Sequence, residues 1–296
     1  MNAWITRNRR LLLLLGLAAV LYFAWGELTR TRGAQTVNFV QAEVECGTLG
    51  NLRYCVNSAV GGTNGDVVYH LHGRNLDETI WNDETYYTAL IQAEWQRTRT
   101  RPPKVVTISY GETWLLIPKG QEEASGLLED FMARLPELEE QIGTPRRRIL
   151  LGESMGGLNV LVAGFSQADR FAKIAALCPG VYIDSPFAPL SDQLAGLERT
   201  GADPMTAFGV AMMARRHLAN EDEWSRVSPL ALIERVEPRT VELYLSNGLY
   251  DKFGNFEGTQ RLAQVATRRG ITTSWHPLYG GHCAIDAPSL ASFLVS

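Results

Sequence analysis

An α/β fold with a mostly parallel, twisted central sheet is what this sequence predicts, and three observations carry the prediction. From Val67 onward, short apolar runs alternate with helix-period stretches, the pattern of βαβ units. The apolar run Arg148-Ile149-Leu150-Leu151 leads straight into Gly152-Glu153-Ser154-Met155-Gly156 and then into a helical stretch from Gly157, so strand, sharp turn and helix follow one another. Ahead of these units, two strand-like stretches follow each other with no helix between them, which predicts an antiparallel edge hairpin. At 296 residues and 45% hydrophobic residues, the chain can build a sizeable core.

The elements are predicted in chain order. Arg7, Arg9 and Arg10 precede an uncharged run from Leu11 to Gly26. A basic segment followed by a short apolar one reads as an export signal, or as a membrane anchor if retained, over residues 1–26. The small residues around Trp25 allow cleavage there, and Arg9-Arg10 before leucines is a loose twin-arginine pattern. Residues 27–36 are polar and read as a linker, with the main domain spanning 37–296. Val37–Glu45 and Leu52–Ser58 are the two hairpin strands. Cys46 and Cys55 flank the turn Gly47–Asn51, a spacing that allows a disulfide across the hairpin.

Val67–Leu71 is a short buried strand ending in His72-Gly73-Arg74-Asn75. A helix follows over Tyr86–Arg97, stopped before Pro102-Pro103, and Val105–Ser109 is the next strand. Over Gly126–Gln141 the apolar positions Leu127, Leu128, Phe131, Leu135 and Leu138 fall near helical spacing, with Pro136 expected to kink the helix. Ile174–Leu177 is a strand after the helical stretch that begins at Gly157. The stretch 185–239 is long for a connection and carries a helical pattern at 207–213, so it reads as a lid over the site, with plain core helices as the alternative. Val241–Leu245, a helix over Gly258–Arg269 and the strand Thr272–Trp275 complete the series.

The composition excludes some functions. A net charge of −4 supplies no basic field for nucleic acid. There is no Cys-x-x-Cys pair, and His70 and His72 share a strand face with no third ligand close by, so neither metal nor other cofactor is expected. Four cysteines suit an exported protein; Cys178 and Cys283, both at strand ends, are left either paired or free.

The chemistry is predicted from Ser154. Gly-x-Ser-x-Gly between a strand and a helix is a nucleophile elbow, and a serine hydroxyl needs a base. Of the five histidines, His282 lies in a glycine-rich loop beyond the last strand, at the carboxyl end of the sheet where active groups gather. His276 reads as structural and His217 as solvated. Asp251, straight after the strand Val241–Leu245, is the expected orienting acid, with Asp184 as runner-up. The order Ser154, Asp251, His282 is that of α/β-hydrolases. The backbone N–H groups of Met155 and Arg74 are the expected oxyanion donors. Trp114 and Trp81, in loops after strands, are candidates to line an acyl pocket.

Leu71-His72-Gly73, the elbow Gly152–Gly156, the segment Phe171–Gly180, Asp251 and Gly281-His282 together resemble the esterase branch of the α/β-hydrolases, which includes esterase D-like enzymes, feruloyl esterases and bacterial mycolyltransferases. The resemblance covers roughly residues 60–290. It implies about eight strands with helices on both faces, and hydrolysis or transfer of acyl groups without a cofactor. Two features depart from it: Arg74 stands where many relatives carry a small or apolar residue, and the insert holds no substrate signature. The expectation is a serine carboxylic-ester hydrolase working through an acyl-enzyme on Ser154, on a small or lipid-like ester. It is expected to be exported: periplasmic, secreted, or attached to the inner membrane through residues 11–26. An acyltransferase to an envelope sugar or alcohol, and a non-catalytic envelope binding protein on the same scaffold, are the alternatives.

Overall fold

A computed structural model describes residues 9–29 and 37–296. The chain divides into two units, 1–36 and 37–296. The described residues of the first form the helix α1 (Arg9–Thr29). No helix among the described residues is long and apolar enough to cross a membrane. Residues 1–8 of the expected leader and 30–36 of the expected linker lie outside the described residues, while residues 27–29 continue α1.

The second unit is built on one sheet of eight strands: β1 (Glu43–Leu49), β2 (Leu52–Ser58), β3 (Val67–Leu71), β4 (Lys104–Ser109), β5 (Arg148–Glu153), β6 (Lys173–Leu177), β7 (Glu242–Gly248) and β8 (Thr272–Leu278). Their order is β1-β2-β4-β3-β5-β6-β7-β8. The hairpin β1–β2 and the pair β2–β4 are antiparallel, and every other pairing is parallel. β3 and β6 are buried along their whole length, as strands covered on both faces should be. One face packs against α3 (Leu127–Ile142), α4 (Met155–Ser166) and α9 (Phe256–Arg268), whose apolar stripes join the larger core. The other face is covered by α2 (Tyr87–Arg97) and α10 (Ala287–Val295), which Trp95 clamps by donating its indole N–H to the Ala291 carbonyl at 2.9 Å.

Three elements differ from the sequence prediction. β1 begins at Glu43, later than Val37, because the backbone before it bonds to side chains: Val40 N–H to Gln96 and Ala42 N–H to Asn82. The turn is accordingly shorter, closed by Leu49 opposite Leu52, and Cys46 lies within the strand opposite Cys55, to which it is disulfide-bonded. The helix α3 spans Leu127–Ile142, one residue later at each end than predicted, with Pro136 inside it.

The insert is the third, and it has two parts. Residues 183–214, with α5 (Leu190–Thr200) and α6 (Pro204–Ala214), carry most of their large apolar side chains at the surface or over a cavity. From Leu218 on, with α7 (Glu221–Val227) and α8 (Pro229–Leu232), the chain turns inward, and Leu218, Trp224, Val227, Leu232, Ile233 and Val236 join the main core. The first part borders the cavity over Ser154 with little packing of its own, whereas the second packs into the core and adds Leu218, Trp224, Val227 and Pro229 to the same cavity wall.

Candidate active site

The sharp turn after β5 sets the geometry. Ser154 has φ 56° and ψ −114°, a backbone conformation that is costly for a residue with a side chain. It is sustained by close packing on both sides: a Cβ on Gly156 would collide with the Leu71 carbonyl of β3, and one on Gly152 with the Gly156 backbone. Ser154 N–H donates to the Leu177 carbonyl at 2.9 Å, fixing the elbow to β6. The turn therefore lifts the hydroxyl to the carboxyl edge of the sheet at the amino end of α4.

Two further loops meet it there. Leu249 N–H donates to the Leu278 carbonyl at 2.8 Å and Tyr250 N–H to the Gly280 carbonyl at 2.9 Å, so the segments after β7 and β8 run side by side. This brings His282 Nδ1 to 2.7 Å from Asp251 Oδ2 and His282 Nε2 to 2.8 Å from Ser154 Oγ. A carboxylate only accepts, so Nδ1 carries the proton, Nε2 is the free lone pair, and the serine hydroxyl donates to it. Asp251 is buried, and its other oxygen accepts the Phe253 N–H at 2.9 Å. The Phe253 ring packs on the imidazole with centroids 4.1 Å apart. Cys283, next to His282, is bonded to Cys178 at the end of β6, whose N–H donates to the Ser246 carbonyl at 2.7 Å. Asp184, the alternative acid, is instead ion-paired to Arg199 on the insert.

Met155 is the first residue of α4, so its N–H has no partner one turn back. Among the described residues the Arg74 N–H has no acceptor, and both residues border the cavity that Ser154 and His282 face. The loop carrying Arg74 is held by a group that sequence reasoning passed over. The Glu153 carboxylate is buried and accepts from Gly73 N–H at 2.7 Å, Tyr87 O–H at 2.8 Å, Tyr86 O–H at 3.1 Å and His70 Nε2 at 2.8 Å. Burial pushes its pKa up, but His70, the Tyr87 hydroxyl and the Gly73 N–H outweigh this and hold it below the usual carboxylate range. The available signal was an acid inside the elbow with a histidine at the end of the neighbouring strand. His72 donates Nδ1–H to the Gly73 carbonyl at 2.7 Å, and burial lowers its pKa, so it stays a neutral structural group.

Three predicted assignments are corrected. Trp81 is buried on the opposite face of the sheet, edge-on to His70 and against Trp95. Trp114 is buried in the main core against His72 and Tyr110. Neither borders the cavity over Ser154; both indoles were drawn into the core by their large apolar area. His217 is buried, not solvated: its Nδ1 lies 3.1 Å from the Ala124 carbonyl, and burial lowers its pKa. His276 stacks on the Tyr244 ring with centroids 4.4 Å apart, a packing role.

The cavity over Ser154 has a volume of about 900 Å³. Its floor is α4 and its roof is α5 and α6 of the insert.

The fold is shared with solved esterases. A ferulic acid esterase is 16% identical with a TM-score of 0.58, over 87% of this chain and 96% of that one. An esterase/lipase from an uncultured bacterium is 18% identical with a TM-score of 0.59, over 88% of this chain and 85% of that one. An arylesterase is 16% identical with a TM-score of 0.60, over 88% and 84%. Identities this low establish the α/β-hydrolase fold. No curated protein sequence matches the chain. The sequence profile of the family described as "Putative esterase" matches residues 56–284, the span from β2 to the loop of His282, and the chain belongs to that esterase family.

Proposed function

We propose that this protein is a serine carboxylic-ester hydrolase that works through an acyl-enzyme on Ser154. The observation that carries the reading is the unbroken hydrogen-bonded line from Asp251 through His282 to Ser154, at 2.7 and 2.8 Å. Ser154 Oγ attacks the acyl carbonyl while His282 Nε2 takes its proton. Asp251 holds the imidazole in the competent tautomer and steadies the imidazolium. The Arg74 and Met155 N–H groups receive the negative oxygen of the tetrahedral intermediate. His282 then returns the proton to the leaving alcohol, and a water activated by the same imidazole releases the acid. The test is Ser154→Ala. It should abolish hydrolysis of nitrophenyl acetate and labelling by a fluorophosphonate; retention of both would overturn the assignment.

Export is part of the same proposal. Its support is the basic and then apolar segment ahead of the domain, together with two disulfides, which persist in oxidising compartments. Cell fractionation of the full chain, with thiol blocking before lysis, should find the protein outside the cytoplasm with no free thiol. A cytoplasmic, fully reduced protein would reject it.

A further inference from the structure

The serine-esterase reading leaves the acyl group open, and the cavity narrows it. At about 900 Å³ it lies at the upper end of the range for small-molecule sites. Its floor next to Ser154 is Leu158 and Val162 of α4, and its roof includes Met205, Phe208 and Met213 of α6. Four of the polar side chains on the insert's part of the wall are already engaged, while Tyr182, Arg74 and Asn75 lie on other parts of the lining. Arg199 is shared between Asp184 and Glu257. Gln193 donates to the Ala188 carbonyl at 2.7 Å and Thr200 to the Gly196 carbonyl at 2.7 Å, while Ser185 is bonded to Glu221. A sugar or a hydroxylated ring placed there would forfeit hydrogen bonds to water and find these groups occupied. A saturated chain forfeits nothing.

The roof points the same way. α6 is apolar on all sides, with Ala207, Val210, Ala211, Met212 and Met213 following one another within two turns. Met205 and Phe208 border the cavity while remaining 77% and 63% exposed, so apolar surface continues from the wall to the mouth. Flexible methionines suit chains of varying length.

We infer that the acyl half of the substrate is an unbranched aliphatic chain of about eight carbons or more, seated between α4 and α6. With each methylene taken as the ~30 Å³ of a water molecule, such a chain fills only part of the cavity and leaves room for the alcohol. This rests on the serine-esterase reading above.

The experiment is a series of nitrophenyl esters from acetate to dodecanoate, kept below their aggregation concentrations, with a hydroxycinnamoyl ester alongside. Each buried methylene should raise kcat/KM about three- to fourfold until the chain outgrows the site. Ala207→Trp and Ala211→Trp, on the roof helix, should each lower the octanoate-to-acetate ratio of kcat/KM by tenfold or more. A flat or falling series, a preference for the hydroxycinnamoyl ester, or an unchanged ratio in both folded tryptophan variants would overturn the inference while acetate cleavage and Ser154 labelling stand. Should both variants fail to fold, the series on the unsubstituted protein decides. Absence of acetate cleavage and of labelling together would bring down the serine-esterase reading, and this inference with it.

Discussion

Glu153 and Ser154 are neighbours in the chain with different tasks: the hydroxyl meets His282, and the carboxylate gathers four donors in the interior. One of those donors is the Gly73 N–H, the peptide immediately before the Arg74 N–H that the proposed mechanism uses. In the proposed mechanism Glu153 is thus a positioning residue for the loop that carries Arg74. Glu153→Gln keeps the volume but gives the site an amide that must turn a donor toward His70 or Tyr87. Loss of a whole oxyanion donor costs about 10²–10³ in kcat, and a displaced one should cost about ten- to a hundredfold with KM little changed. Steady-state kinetics on the folded variant checks this; a rise in KM with kcat intact would assign Glu153 to packing alone.

At the scale of elements, the carboxyl edge of the sheet is assembled from loops that are far apart in sequence. The disulfide Cys178–Cys283 joins the end of β6 to the residue after His282 and closes a separation of 105 residues. A cross-link over a loop of that length stabilises by up to about 4–5 kcal/mol in the chain-entropy account. Here it also anchors the loop that presents the imidazole. The pair Cys46–Cys55 spans only the edge hairpin, far from the hydroxyl in the order of strands. The double variant Cys178→Ser/Cys283→Ser should therefore lower both the thermal midpoint and kcat/KM, while Cys46→Ser/Cys55→Ser should lower the midpoint and leave kcat/KM close to the parent. Calorimetry and ester kinetics on the two variants separate the effects; equal kinetic losses would refute the tether. The spacing of Cys46 and Cys55 around a short turn made that pair readable from sequence. Nothing local marked the other pair, because its closeness depends on β6 and β8 flanking β7.

For the whole molecule, the amino edge of the sheet is fastened separately from the chemistry. Asp66, just ahead of β3, is buried and accepts from Arg146 at 2.9 Å and Arg147 at 2.7 Å, just ahead of β5. Burial raises its pKa, but the two guanidinium groups outweigh this and hold it below the usual value. A carboxylate whose pKa is depressed on folding stabilises the native state above its unfolded-state pKa, and that stability is lost as the pH falls through the folded-state value. Asp66→Asn should thus cost about 1–2 kcal/mol at neutral pH, less than a fully buried pair because Arg146 is largely exposed. The gap from the parent should narrow in acid and close below the folded-state pKa. Thermal scans at pH 7 and in strong acid check the sign; a constant gap would rule out this charge as the cause. Ester turnover should be unaffected, since the opposite edge of the sheet carries Ser154.

Local rules made much of this legible. Strand and helix periods, the elbow between Arg148 and Gly157, and the chain order Ser154, Asp251, His282 were all readable because each depends on neighbouring residues or on topology common to parallel sheets. The roof was half legible: the apolar run at 207–213 was visible, but its division from the core stretch after Leu218 was not, because both are apolar and only packing separates them. Trp81 and Trp114 were misplaced because loop position does not say which way a side chain turns, and His217 because charged neighbours on a helix do not say which face is buried. The sequence by itself determined the order of the elements and which residue types stand at strand ends. Only the tertiary structure decided that Glu153 holds the loop of Gly73 and Arg74, that Cys178 bonds Cys283, and that an apolar cavity lies over the hydroxyl. Each of these joins groups distant in the chain, and such contacts exist only once the strands have taken their order in the sheet.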